Sequence, residues 1–414
     1  MVTGVASGGG LTAGRRLARL AAAPPGAAVL ALCAAVLALR RAQAVSVPQF
    51  WAEDGYFFER AYELGGRAFL EPFAGYLHTM MRVIAQFAVL VDPARAPALF
   101  VACSAAVTLY VAARTLSPRC PLPKLGGFCA LAVVLVPDTY EVFLTVVNLQ
   151  WVIGAGMVLL LVSADPRGAR PWAHDLVAAA ATGLTGPFSI VLLPAFAWRA
   201  LSRRTRASIA LAAVVAACAL AQGFLVLTGP AIGAGAPGAT VAWRLLLPAI
   251  GRRVGASVLM GSLASPATDQ VLGTVAGIAT LAGVGYLALR RGPERNARAL
   301  LGLSFVLLLG GALYRTRFSL GDFFRPLAHA RYVFIPQLLA MWLLLFPAGG
   351  RGIAGRIAPA LCALSLLTNL PRYREPAYAN MRWDLYEARI RAGEPVVVPI
   401  NPPGWVVPLP PRGK

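Results

Sequence analysis

Apolar residues along this chain come in long unbroken runs, without the alternation of a half-buried strand. At about 20 residues per membrane crossing, the runs at 22–39, 97–116, 125–146, 148–164, 175–197, 207–228, 270–289, 299–314, 332–347 and 353–370 predict spanning helices. Two weaker stretches are ambiguous. Leu77 to Val91 carries Arg82 and Gln86, and either crosses or lies flat; Leu245 to Leu263 is broken by Arg252 and Arg253 and reads as interfacial or re-entrant. Polar sequence gathers at 42–76, 314–331 and 371–414.

Composition narrows the class. Hydrophobic residues make up 58% of 414, charged ones 13%, and mean hydropathy is +0.67, which excludes a soluble enzyme. The net charge of +21 would suggest nucleic acid in a soluble chain. Here the arginines fall in short loops between apolar runs, so they read as cytoplasmic anchors and no nucleic-acid partner is expected. Arg199, Arg203, Arg204 and Arg206, then Arg290, Arg291, Arg295 and Arg298, then Arg351 and Arg356 are expected inside. Counting from them puts 314–331 and 371–414 outside.

The fold expected is all-α, a multi-pass protein of the cell membrane with about eleven transmembrane helices. Residues 1–21 form a cytoplasmic tail, 22–370 the membrane domain, and 371–414 an external tail too short and proline-rich for a domain of its own. If 77–91 lies flat, Thr182 to Ser189 must be the kink of a hairpin of two half-spans. If it crosses, the segments alternate simply but Arg167 and Arg170 end outside. Arg40 and Arg41 interrupt what would otherwise resemble a signal peptide, so an uncleaved anchor is expected. The six cysteines show no CxxC pair and read as packing thiols, and no internal repeat is evident.

Chemistry concentrates between Phe50 and Arg82, FWAEDGYFFERAYELGGRAFLEPFAGYLHTMMR. Glu53 and Asp54 follow the first run directly, and ionised carboxylates do not lie in hydrocarbon without a partner or a wet cavity. The spacing of Tyr56, Phe57, Glu59, Arg60 and Glu63 suits a short interfacial helix. No phosphate-binding glycine loop for nucleotides and no serine nucleophile elbow is present.

This acidic pair after the first span, the aromatic juxtamembrane helix, the stretch Pro72 to His78 and the many later spans resemble the GT-C superfamily of membrane glycosyltransferases. The resemblance implies a polyprenyl-phosphate-linked sugar donor, a glycan or lipid acceptor, and work on the extracytoplasmic side. It assigns Glu53 and Asp54 to the family's acidic motif. Such transfer needs a carboxylate to take the acceptor's proton and cationic groups for the departing phosphate. Asp54 is the preferred base because its short side chain fixes the carboxylate closely. A metal alternative, with Glu53 and Asp54 holding a divalent cation, stays open. For the phosphate the candidates are Arg325, His329 and Arg331, with Arg331 preferred, and Asp322 as a group that orients an arginine. His78 and Arg82, one helical turn apart, share a face and are expected to meet the donor beside the acidic pair. Asp138 and Glu141 complete the site if 77–91 lies flat. A transporter or flippase for a lipid-linked or small substrate is the second reading, and a non-catalytic assembly factor the third.

Overall fold

In the computed structural model, the described residues are 25–121, 126–137, 139–229, 240–261, 270–292, 294–325, 328–347 and 353–412. The expected N-terminal tail, Arg351 and Asp138 lie outside them. Among the described residues the chain is mostly helical, and four helices are long and apolar enough to cross a membrane: Pro93–Thr115, Arg206–Thr228, Gln270–Leu289 and Arg295–Arg315.

The helices in order begin with α1 (Pro25–Arg40), α2 (Ala42–Ser46), α3 (Asp54–Leu64), α4 (Thr79–Val91) and α5 (Ala96–Thr115). Next come α6 (Gly126–Val134), α7 (Leu149–Val162), α8 (Ala169–Gly183), α9 (Phe188–Arg203) and α10 (Arg206–Thr228). The remainder are α11 (Leu246–Ile250), α12 (Ser257–Met260), α13 (Gln270–Leu289), α14 (Arg295–Arg315), α15 (Ala330–Leu345), α16 (Ile353–Asn369) and α17 (Glu387–Ala392). α7 and α15 are buried nearly all round, as their unbroken apolar sequence requires, and form the centre of the bundle. α10 and α13 instead leave Leu220, Phe224, Leu227, Val271, Val275 and Ile278 exposed on their outer sides, an apolar surface suited to lipid.

α4 is short: at 1.5 Å per residue its 13 residues reach about 20 Å, against a hydrocarbon core of roughly 30 Å. Its first N–H groups, orphaned as at any helix start, are taken up by the α8–α9 turn: Thr79 donates to the Leu184 carbonyl at 3.2 Å and Met80 to the Thr185 hydroxyl at 3.1 Å. Its far end is held by the C-terminal segment, where Trp383 donates to the Ala94 carbonyl at 2.6 Å and Arg391 pairs with Asp92 at 3.0 Å. Val83, Phe87, Leu90 and Val91 form its exposed apolar stripe. The run at 175–197 is divided between α8 and α9 by a turn, and the far end of α9 comes back to the chain just before α8, where Asp165 accepts from Arg199 at 2.6 Å and Arg203 at 3.1 Å.

Three differences from the sequence reading stand out. The run at 125–146 is helical only to Val134, and 139–148 becomes a bent segment. The stretch 245–263 is α11, a π-helical turn at Gly251–Ala256, and α12. It sits tightly on α13, where a Cβ on Gly277 would come within 2.3 Å of the Leu247 carbonyl oxygen, so only a small residue fits there. The all-α expectation also misses a two-stranded antiparallel sheet, β1 (Val396–Ile400) and β2 (Trp405–Leu409). This hairpin packs on α3, and Asn401 exchanges backbone bonds with the first loop, donating to the Phe50 carbonyl at 3.2 Å and accepting from Ala52 at 2.5 Å. Residues 41–78, 139–148, 316–325, 328–329 and 370–412 thus share one face of the bundle, here called the loop face.

Candidate functional site

Asp54 opens α3 but does not cap it. Its side chain reaches the bent segment, where Oδ1 accepts from the Val146 N–H at 2.9 Å and the Val147 N–H at 2.7 Å, while Oδ2 accepts from the Trp51 N–H at 3.3 Å. The residue is 2% exposed. Asp54 is therefore a clamp between the first loop and 139–148. Burial pushes its carboxyl up to about 7, against the pull of the three N–H groups, and the charge of Glu53 adds to the rise.

Glu53 takes the opposite position. Half-buried, it makes no side-chain hydrogen bond or ion pair among the described residues, and its charge is felt at Arg331. Arg331, at the start of α15, donates to Glu141 Oε1 at 2.7 Å, and Glu141 Oε2 accepts from the Trp51 indole at 3.1 Å. Trp51 in turn stacks on Tyr378 with ring centres 4.5 Å apart. One carboxylate, Glu141, thereby links the first loop, the bent segment and the entry of α15. Beside it Trp151 meets Tyr332 edge-on at 5.2 Å, and Trp151 Nε1 and Asn148 Nδ2 are buried without a hydrogen-bond partner among the described residues. Such orphaned donors are rare, and mark where a ligand's polar groups gain most.

The remaining candidates separate. Arg325 is 77% exposed at its side chain and pairs with Asp322 at 3.0 Å, as expected of a group that orients an arginine. His329 stands in the left-handed backbone region, and its Nε2 meets the Ser319 hydroxyl at 2.9 Å. Asp322 lies 3.7 Å from that same nitrogen, so the three do not form a relay through the ring. Buried Arg253 donates to the Arg325 carbonyl at 2.7 Å and also to that of Ala328, fixing this loop from below. Asp138 is outside the described residues.

His78 and Arg82 do not meet a phosphate position beside the acidic pair. His78 is buried among the rings of Phe57, Phe73 and Tyr76, 5.6, 5.7 and 6.0 Å away, and burial, helped by the Arg82 charge, holds it down at about 4. It is a neutral imidazole. Arg82 donates to the Leu77 carbonyl at 2.8 Å and to that of Glu71, with its guanidinium 5.4 Å from the Phe57 ring centre. Two of its donors brace the 71–78 loop, while Arg82 Nη1 and both His78 ring nitrogens are buried without a hydrogen-bond partner among the described residues.

A divalent cation does not fit the acidic pair. Asp54 presents both oxygens to backbone donors, so Glu53 and Asp54 do not offer two open carboxylates to a metal.

Asp54 and His78 make opposite contributions to the pH dependence of stability. An Asp raised from 3.8 to about 7 binds more protons folded than unfolded, so its contribution declines as pH rises through that window. A His lowered from 6.5 to about 4 is protonated sooner in the unfolded chain, so its contribution declines as pH falls through its own. Relative to wild type, the thermal midpoint of Asp54→Asn should gain a rising trend between pH 4 and 7, and that of His78→Phe a falling one. Parallel profiles for the two variants would refute the assignment.

Residues outside the candidate set complete the frame. Arg40 and Arg41, buried at the end of α1, share Glu375, each guanidinium 2.9 Å from a different carboxylate oxygen. Their signal in the sequence is a pair of arginines ending an apolar run. Trp51 and Trp151 could have been found as indoles beside polar residues at predicted span ends. No protein-family model matches the chain, and no curated protein matches it in sequence.

Proposed function

We propose that this chain is a membrane glycosyltransferase similar to the GT-C class, of about eleven crossings, moving a sugar from a polyprenyl-phosphate donor to an extracytoplasmic glycan or lipid acceptor. The observation that carries the reading is a half-buried carboxylate, Glu53, whose charge is felt at a phosphate-suited arginine, Arg331, on a loop face braced by Asp54 and Glu141. The acceptor hydroxyl oxygen bonds to the sugar's anomeric carbon as the bond from that carbon to the phosphate oxygen breaks. Glu53 takes the hydroxyl proton, and the polyprenyl phosphate leaves with the bonding electrons, met by Arg331. Asp54 holds the loop that presents Glu53, so the base role moves from the residue preferred on side-chain length to its neighbour. Arg325 and His329 stand on the loop leading to Arg331 and suit a rim for the donor.

The test is sugar transfer from a polyprenyl-phosphate donor in membranes containing the protein. Arg331→Ala should raise the KM for donor by roughly 10-fold or more, since a charge-assisted hydrogen bond contributes about 1.5 to 3 kcal/mol, while the KM for acceptor stays within about 2-fold. Arg331→Lys should recover part of the loss, a point charge replacing a two-pronged donor. Passage of intact donor across the membrane without sugar transfer would replace this reading by the transporter.

A further inference from the structure

At the loop-face end of α1 a cavity of about 390 Å³ opens between Arg41, Gln43 and the chain segment Arg374 to Ala377. Its volume falls in the range of small-ligand sites. The charge around it is unbalanced. Arg40 and Arg41, each with side chains 1% exposed, have one carboxylate between them, Glu375, and Arg374 at the rim adds a third guanidinium with no ion pair among the described residues. Buried charge without a counter-charge is unfavourable, so the pocket favours an anion. Two buried polar atoms on its lining side chains, Arg41 Nε and Gln43 Oε1, also have no partner among the described residues. The other Arg41 nitrogens are engaged by Glu375, Tyr378 and Tyr140. That pins the guanidinium in place and leaves Nε as its remaining donor.

The position of the pocket selects the kind of anion. Leu39 lines it and is 73% exposed, and Leu32, seven residues earlier on the same side of α1, is 51% exposed. Such an outward apolar stripe, ending in arginines, is where acyl chains run up to their headgroups. We propose that this pocket binds a phosphate group, carried on an anionic lipid headgroup or arriving as free phosphate. Arginines suit phosphate oxygens in either case. Arg41 meets the bent segment at Tyr140, and the next residue, Glu141, meets Arg331. The inference rests on Arg41, Gln43 and Arg374 and does not depend on the proposed transfer reaction.

The test uses the full chain in phosphatidylcholine nanodiscs, with phosphatidylglycerol added in one arm and inorganic phosphate in the other. The readouts are thermal midpoint and retained lipid by native mass spectrometry. Arg374→Glu, at an exposed position, should weaken apparent affinity roughly 10- to 100-fold, the equivalent of one charge-assisted bond. Arg412→Glu, another exposed arginine, should leave it unchanged. Stabilisation by phosphatidylglycerol alone identifies the headgroup as source, and equal stabilisation by inorganic phosphate identifies the free anion. No stabilisation in either arm, or equal losses in Arg374→Glu and Arg412→Glu, overturns the proposal. Should Arg374→Glu fold poorly, Arg374→Ala gives the same comparison without charge reversal.

Discussion

Glu53→Gln should lower sugar transfer by roughly 10² to 10⁴, the usual worth of a general base, while the protein keeps its wild-type thermal midpoint. The amide preserves size but cannot take a proton. Because Glu53 is half-buried and bonded to no described residue, little in the fold depends on its charge. Asp54→Asn should behave in the reverse way. One of its two terminal atoms becomes an NH2 group facing either the Trp51 N–H or those of Val146 and Val147, leaving buried groups unsatisfied at about 1 to 3 kcal/mol. Less of that variant should fold, and what folds should transfer sugar at a rate near wild type. The comparison is activity per folded molecule, with folded protein quantified by size-exclusion elution. Loss of 10²-fold or more in Asp54→Asn, with Glu53→Gln near normal, would return the base role to Asp54.

Removal of Glu375 should have the largest effect on stability. Its carboxylate is 3% exposed, forms ion pairs with Arg40 and Arg41 at 2.9 Å each, and accepts from the Thr139 hydroxyl at 2.6 Å. Arg40 also donates to the Val134 and Val136 carbonyls at 2.9 Å, so the cluster joins α1, the bent segment and the C-terminal segment. Glu375→Ala strands two buried guanidiniums, for which about 3 to 5 kcal/mol is typical. Glu375→Gln should lose most of the same amount, since its amide keeps the shape without the charge. Denaturant or thermal unfolding in detergent provides the measurement. A loss under about 1 kcal/mol, the scale of exposed pairs, would mean that water screens the cluster.

The helices were legible because lipid-facing and core-facing positions are both apolar, so α5, α7, α10, α13, α14 and α15 each coincide with an apolar run. The sequence could not decide where an apolar run bends. Val142, Phe143, Val146 and Val147 are as buried as helical residues, yet their segment turns to deliver two N–H groups to Asp54. The hairpin of the C-terminal segment had a readable signal, two valine-rich runs flanking Asn-Pro-Pro-Gly, which the abundance of proline obscured. At the site, adjacency in sequence pointed to Glu53 and Asp54 together but not to which faces inward, because that depends on the partner loop about 90 residues away. The link of Arg331 to Glu141 spans 190 residues, and no local pattern encodes it.

The contacts that close the loop face impose an order on the birth of the protein. Arg40 and Glu375 are 335 residues apart, and at roughly 5 to 20 residues per second of synthesis the first waits about 15 to 70 s for the second. During that interval α1 is already made, with its arginines and the indole of Trp51 lacking the neighbours that later cover them. The first loop, which carries Glu53, is therefore translated well before the segment that completes its surroundings.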